Sequence, residues 1–203
     1  RFSVGTVIQP DYAGFGEDYD EFRTMIQKHA IPVRFARAGQ VYRIGQVQLR
    51  IIWPRQDVLS FARTRGLSYR TDDTTVLGAM SLDPNVLSIV FQLEYGSFDA
   101  VFTGDADMQI EAEYLPNVAK DDPIKIFKIP HHGSAQAISQ QALSDLRPEL
   151  AIVSVGRNSY GHPSQRLLDR LTDLGISFFR TDLHGDIHIV TNGRGFTPIH
   201  TKL

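Results

Sequence analysis

The 203-residue sequence contains no cysteine, which excludes disulfide frameworks and thiolate metal sites and leaves the redox compartment open. An excess of charge of one sign is missing too, since 21 Lys and Arg against 23 Asp and Glu give a formal net charge of −2. There is therefore no global basic field of the kind that marks many nucleic-acid binders. A local patch or a metal ion could still supply positive potential to such a ligand. No apolar run approaches the ~20 residues of a membrane-spanning helix. The chain does not open on methionine, and its first residues do not read as a signal peptide. The chain opens Arg1-Phe2-Ser3-Val4-Gly5, the start expected of a piece of a longer protein cut within a domain. Nor is there an internal repeat, a low-complexity segment or a convincing linker. What is present is an ordinary globular balance, 42% hydrophobic and 22% charged, on a length that suits one domain with a proper core.

Hydrophobic patterning gives an α/β reading. Val4–Ile8 reads as a short strand ended by Pro10. From Asp18 to His29, Phe22, Met25, Ile26 and His29 recur at helical steps behind an acidic start that suits the helix dipole. Val33–Arg37 is a strand, and Val47–Trp53 alternates Val47, Leu49, Ile51 and Trp53 on one face. Residues 55–84 resist assignment: Asp57–Arg65 suits a short helix, while Ser68–Thr75 is polar and reads as a mobile loop or insertion. Order then returns. Leu87–Tyr95 and Phe98–Thr103 form an apolar hairpin about Gly96-Ser97. A helix over Asp107–Leu115, a strand over Ile124–Ile129, a helix over Gln136–Leu146, a strand over Leu150–Val155 and a helix over Ser164–Leu174 follow. Strands near Ser177–Arg180, Asp186–Thr191 and Phe196–Ile199 finish a mixed sheet whose motifs lie in loops after strands.

Three of those loops carry chemistry. Phe98–Phe102 runs into Thr103-Gly104-Asp105, and Ile124–Ile129 into Pro130-His131-His132-Gly133-Ser134. In an α/β protein, successive strand ends bring distant residues to one rim, where ligands collect. Carboxylate oxygen and imidazole nitrogen hold zinc or manganese, so Asp105, His131 and His132 read as part of a metal site. Three donors are too few for a complete pair of metals. The bland alternative for Asp105 is a helix cap, and for the doublet, one core histidine and one cap. A histidine that does not ligate metal could protonate a leaving group. Arg157-Asn158-Ser159-Tyr160-Gly161-His162-Pro163-Ser164 offers a cation, hydrogen-bond donors, an aromatic face and an imidazole. Arg157, Asn158, Tyr160, His162 and Ser164 are thus candidate phosphodiester contacts, against a plain loop ending in a Ser164 cap. A turn explains Asp182 and His184 adequately, while His29, His188 and His200 read as structural and Lys120-Asp121-Asp122 as solvated surface.

Taken together, Thr103-Gly104-Asp105, Lys128-Ile129-Pro130-His131-His132-Gly133-Ser134, Ser154-Val155-Gly156-Arg157-Asn158 with Gly161-His162-Pro163-Ser164, and Arg180-Thr181-Asp182 resemble the C-terminal metallo-β-lactamase-fold domain of the ComEC family of DNA-internalisation competence proteins. The match in order and spacing runs from about Leu87 to Ile189. Phe2-Ser3-Val4-Gly5-Thr6-Val7 and Ile44-Gly45-Gln46-Val47-Gln48-Leu49 also resemble earlier segments of that domain. The resemblance implies an αββα sandwich, here mainly its second half, spanning residues 1–203 and incomplete at the N-terminus. It also implies two divalent metals, zinc or manganese, and a hydrolase proposed to degrade the strand of DNA that is not imported. On it, Asp105 is a bridging ligand, and His131 and His132 are ligand or proton donor, with the division between them open. The family's His-x-His-x-Asp-His motif, which supplies most ligands, is absent and expected upstream of Arg1. The parent is expected to be a bacterial membrane protein, with this piece a soluble domain beside a membrane-embedded channel region and with no nucleotide cofactor.

Three functions follow. The first is a metal-dependent phosphodiesterase acting on single-stranded DNA during transformation. The second keeps the hydrolase but changes the substrate to a lactone, thioester or small phosphoester. The third is a degenerate docking module without catalysis. A cleft lined by excess Lys and Arg favours the first, and a narrow apolar pocket the second.

Overall fold

The computed structural model describes residues 3–12, 16–65, 83–119 and 123–201. The loop expected at Ser68–Thr75, most of the 55–84 stretch and Lys120-Asp121-Asp122 lie outside the described residues. The first elements are β1 (Val7–Pro10), α1 (Glu17–Lys28) and β2 (Val33–Ala36), with β1 and β2 paired in parallel. There follow β3 (Val41–Ile44), β4 (Val47–Trp53), α2 (Gln56–Arg65), β5 (Val90–Tyr95) and β6 (Phe98–Phe102). Then come α3 (Glu111–Tyr114), β7 (Ile126–Lys128), α4 (Gln140–Leu146), β8 (Leu150–Val153) and α5 (Gln165–Asp173). The chain finishes with β9 (Ser177–Arg180), α6 (Thr181–His184), β10 (Ile187–Thr191) and β11 (Phe196–His200).

Seven strands make one sheet in the order β3-β4-β5-β6-β7-β8-β9. Its first half is antiparallel, and β6 to β9 run parallel through crossovers that carry the helices. Because side chains alternate along a strand, Val101, Phe127 and Ala151 face one side of the sheet and Ala100, Ile126 and Leu150 the other. The first side packs Leu143 and Leu146 of α4 and Leu167 and Leu171 of α5. On the second side, Ile189 and Phe196 of the β10–β11 hairpin pack against Phe98, Ala100 and Ile126. Helices on one face and strands on the other make the layered, mixed-sheet α/β architecture expected from the sequence. No helix among the described residues is long and apolar enough to cross a membrane.

Three departures from the sequence reading have local causes. β3 pairs with β4 about Gly45-Gln46, although Val41-Tyr42-Arg43-Ile44 carries no clean alternation. Helices α3 and α4 are shorter than expected, because backbone groups needed for their first turns serve the loops. The Met108 N–H donates to the Gln136 carbonyl (3.0 Å), and Ser139 starts α4 by accepting from the Ala142 N–H (3.0 Å). The turn expected after β9 closes as the single-turn α6, where Thr181 Oγ1 accepts from the Val155 N–H (2.8 Å) and donates to its carbonyl (2.7 Å).

Candidate metal centre

The C-terminal ends of β4, β6, β7, β8 and β9 share one rim, since β4 is parallel to β6 through the antiparallel β5. The loop after β6 is pinned from both sides. Buried Thr103 donates through Oγ1 to the Lys128 carbonyl (3.0 Å), and the Asp105 N–H donates to Ser88 Oγ (3.1 Å). Asp105 caps no helix; α3 follows Ile110 at its N-cap position, without a side-chain cap.

The histidine doublet after β7 occupies a turn that side chains rarely adopt. His131 and His132 have φ of 46° and 52°, with Gly133 following at 82°. Left-handed backbone at a non-glycine residue costs roughly 1–3 kcal/mol, so the neighbours must hold it. The His131 N–H donates to the Gly104 carbonyl (3.2 Å), Ser134 N–H to that of His131 (3.0 Å), and Ser164 N–H to that of Gly133 (2.8 Å). A Cβ on Gly133 would stand 2.8 Å from Pro163 Cβ and 3.0 Å from Leu167 Cδ2. Only glycine lets the two loops close this far.

This turn sends the two imidazoles to different carboxylates. His132 Nδ1 lies 2.8 Å from the Ser154 carbonyl, which can only accept, so Nδ1 carries the proton. In the neutral ring the lone pair is then on Nε2, 3.8 Å from Asp105 Oδ1. His131 Nδ1 lies 3.6 Å from Oδ2 of Asp107, a buried residue. Both separations exceed hydrogen-bond range, and His131 Nδ1 is buried without a hydrogen-bond partner. Asp107 is a candidate that the sequence reading placed in a helix; its signal was the Asp105-Ala106-Asp107 spacing. Lys128, on β7, is half-buried: burial pulls its ammonium pKa down, and the charge of Asp105 opposes this.

His162 joins the cluster from the third loop. Its ring lies edge-on to His131 at 5.9 Å and stacked with Tyr160 at 5.9 Å. Burial lowers its pKa below the ordinary imidazole value, and repulsion from His131 and His132 adds to this. The ring is therefore neutral at pH 7, and its Nδ1 is buried without a hydrogen-bond partner. Tyr160 is 81% exposed, and Arg157 is also exposed. Asn158 is committed within its loop: Nδ2 donates to the Gly156 and His162 carbonyls, and Oδ1 accepts from the Tyr160 and His162 N–H groups. Ser164 Oγ accepts from the Leu167 N–H and caps α5. Asp182 is held by a forked Arg180 (2.6 and 3.0 Å), which keeps its carboxyl below the usual range. His184 Nδ1 accepts from the Arg180 N–H, and its ring lies 5.3 Å from that of His200.

The donor chemistry suits a divalent ion. The Ser154 carbonyl orients His132 through Nδ1, and its Nε2 faces an Asp105 oxygen across a gap that bonds of ~2.0–2.2 Å to a metal could bridge. The number of donors is short. Among the described residues, no three or more His, Asp or Glu gather as a preformed metal cage. Asp105 and His132 thus fit at most a share of such a site.

Helix layer, mixed sheet and covering hairpin, with ligand-type side chains along one rim, define the class: an α/β protein of metallo-β-lactamase-type fold. Its sequence resembles that of competence proteins. It is 34% identical over 119 residues to ComE operon protein 3 of Bacillus subtilis, covering 55% of this chain and 15% of that protein. Competence protein ComA of Neisseria gonorrhoeae is 31% identical over 116 residues (57% and 17%), and Recombination protein 2 of Haemophilus influenzae 29% over 106 residues (52% and 13%). The matched stretch is therefore under a fifth of each relative. No protein-family model matches the chain. Among solved structures, CmlA, a diiron β-hydroxylase from Streptomyces venezuelae, matches with a TM-score of 0.52 at 11% identity, over 97% of this chain and 40% of that one. That likeness is one of fold alone. A putative Zn-dependent hydrolase of the metallo-β-lactamase superfamily from Thermotoga maritima matches with a TM-score of 0.37 at 12% identity, over 71% and 61%.

Proposed function

We propose that residues 1–203 belong to a metallo-β-lactamase-like domain that hydrolyses phosphodiester bonds of single-stranded DNA during DNA uptake. One observation carries this reading. Two lone-pair donors from separate loops, His132 Nε2 and Asp105 Oδ1, face each other at 3.8 Å, which favours an electropositive guest between them. Asp105 and His132 would hold that ion, with Asp107 and His131 beside it. A bound divalent metal lowers the pKa of its water towards neutrality and offsets charge on the attacking and leaving oxygens.

The remaining work falls to the chain's own groups. Arg157 supplies a forked cation for a phosphate oxygen, and Tyr160 offers an exposed ring for a base. Asn158 and Ser164 hold the loop and helix that present them. His162 stays neutral at pH 7, so it can take a proton or ligate without first losing one. His131, beside Asp107, would then be the group that gives a proton to the leaving oxygen. Under this reading, the membrane-embedded channel region of the same bacterial parent is the partner.

Single-stranded oligonucleotide cleavage with manganese tests the reading, using the chain extended by the coding sequence that precedes Arg1. Asp105→Asn should lose nearly all activity; equal rates for the two proteins end the proposal. A second reading, a non-catalytic docking module, is favoured by the shortage of converging donors among the described residues. Failure of the extended chain to cleave at all would select it.

A further inference from the structure

We propose that the cleft between β2 and β3 is a subsite for a flanking nucleotide of a single-stranded nucleic acid. It lies on the same rim as the candidate metal centre and rests on the phosphodiesterase reading only for which bond is cut. The open cleft measures about 450 Å³ and is lined by Arg34, Phe35, Arg37, Gln40, Val41 and Tyr42.

Two kinds of group alternate there. Arg34 is exposed. Arg37 is held through one nitrogen by Asp11 (3.0 Å). The exposed Arg34 guanidinium offers forked donors at the cleft, the geometry that suits phosphate oxygens. Phe35 is 42% exposed, which leaves its ring accessible to a stacking base. Tyr42 is oriented through Oη, which donates to Gln40 Oε1 (3.2 Å), and the same oxygen accepts the Arg37 N–H (2.9 Å). Phosphate-binding cations interleaved with rings on which bases stack are the pattern of single-strand binding. An acidic peptide would satisfy the arginines but would give Phe35 and Tyr42 no flat partner. The cleft is basic and open, which speaks against a small ester.

Its place supplies the second argument. The Ala38 N–H donates to the Pro54 carbonyl (2.8 Å) and the Gly39 N–H to that of Ile51 (2.9 Å). The β2–β3 turn is thereby fixed on the C-terminal end of β4. That end shares its rim with Asp105, and β3 is three strand spacings from β6, or about 15 Å. An extended polymer cut near Asp105 can reach this distance along the rim; a small molecule cannot.

The test is fluorescence anisotropy of a labelled oligodeoxythymidylate of about 15 nucleotides with the 203-residue chain, in chelator and across a salt series. Phe35→Ala should weaken binding about five- to tenfold. Arg34→Ala should lower the slope of log affinity against log salt by about 0.7, the value for one phosphate contact to a single strand. Both side chains are exposed, so melting temperatures should match the parent. Parental affinity and slope in both variants would overturn the assignment, as would no binding by the parent. So would an oligoglutamate peptide that displaces the oligonucleotide and is weakened equally by Phe35→Ala. Because chelator removes catalysis, this result stands or falls separately from the cleavage assay of Asp105→Asn.

Discussion

Replacing Gly133 by alanine perturbs the contact that binds the histidine doublet to the Gly161-His162-Pro163-Ser164 loop. Two costs can be separated. Backbone at φ 82° is strained for any L side chain, by about 1–2 kcal/mol. The new Cβ also meets Pro163 Cβ at 2.8 Å, Leu167 Cδ2 at 3.0 Å and Val153 Cγ1 at 3.1 Å. Pro163 is a ring and Val153 stands in the sheet, so neither yields freely, and overpacking of this kind costs about 1–3 kcal/mol. Gly161→Ala is the matched control: φ there is 75°, but nothing lies within 4 Å of the added carbon. It should show the strain alone. For a chain of this size, 1 kcal/mol moves the melting temperature by about 2–4 °C, so Gly133→Ala should melt about 2–12 °C below Gly161→Ala. Thermal unfolding by circular dichroism reads the difference. If the two variants melt together, the close packing between these loops carries no energy and the reasoning fails.

Two further perturbations probe what supports the rim. Buried Arg170 donates to the carbonyls of Ala135 (3.2 Å) and Ile138 (2.6 Å), tying α5 to the segment after the doublet. Arg170→Met keeps the stem but strands two acceptors, and urea unfolding should show a loss of about 2–4 kcal/mol; a loss below about 0.5 kcal/mol would contradict the role. Asp99 is half-buried, and burial raises its carboxyl pKa despite hydrogen bonds from the Lys125 N–H and Gln92. A raised folded-state pKa makes ionisation oppose folding, so the Asp99 contribution is fully present below the unfolded value near 4 and is lost as pH rises through the folded value. The stability of Asp99→Asn relative to the parent should therefore increase with pH above about 4; a pH-independent difference would exclude this assignment.

Much of the rim was legible because strand ends carry their own markers. Thr103-Gly104-Asp105 and Pro130-His131-His132-Gly133 each close a run of apolar residues, and parallel topology brings such ends together. Ser164 was recognisable as a helix cap because its hydroxyl precedes the apolar repeat Leu167, Leu168 and Leu171. Other features depend on the third dimension. Asp107 looked like the start of a helix, and only the left-handed turn at His131 and His132 reveals which carboxylate each ring meets. That turn is held by the carbonyl of Gly104 and the N–H of Ser164, distant groups that no local propensity encodes. β3 escaped notice because its pairing with β4 overrides its weak alternation. The Arg34–Tyr42 cleft was hidden for a related reason: its basic and aromatic residues lie on both sides of a turn, within a chain whose total charge nearly cancels.

Manganese broadening of imidazole signals, in the 203-residue chain labelled at histidine, tests most directly whether Asp105 and His132 address one cation. The ring of His132 should broaden at the lowest manganese concentrations, and Asp105→Asn should shift that onset to at least about tenfold more metal. Broadening that begins elsewhere, with His132 untouched or indifferent to the loss of the carboxylate, would contradict a shared ion and with it the metal-dependent reading of the rim.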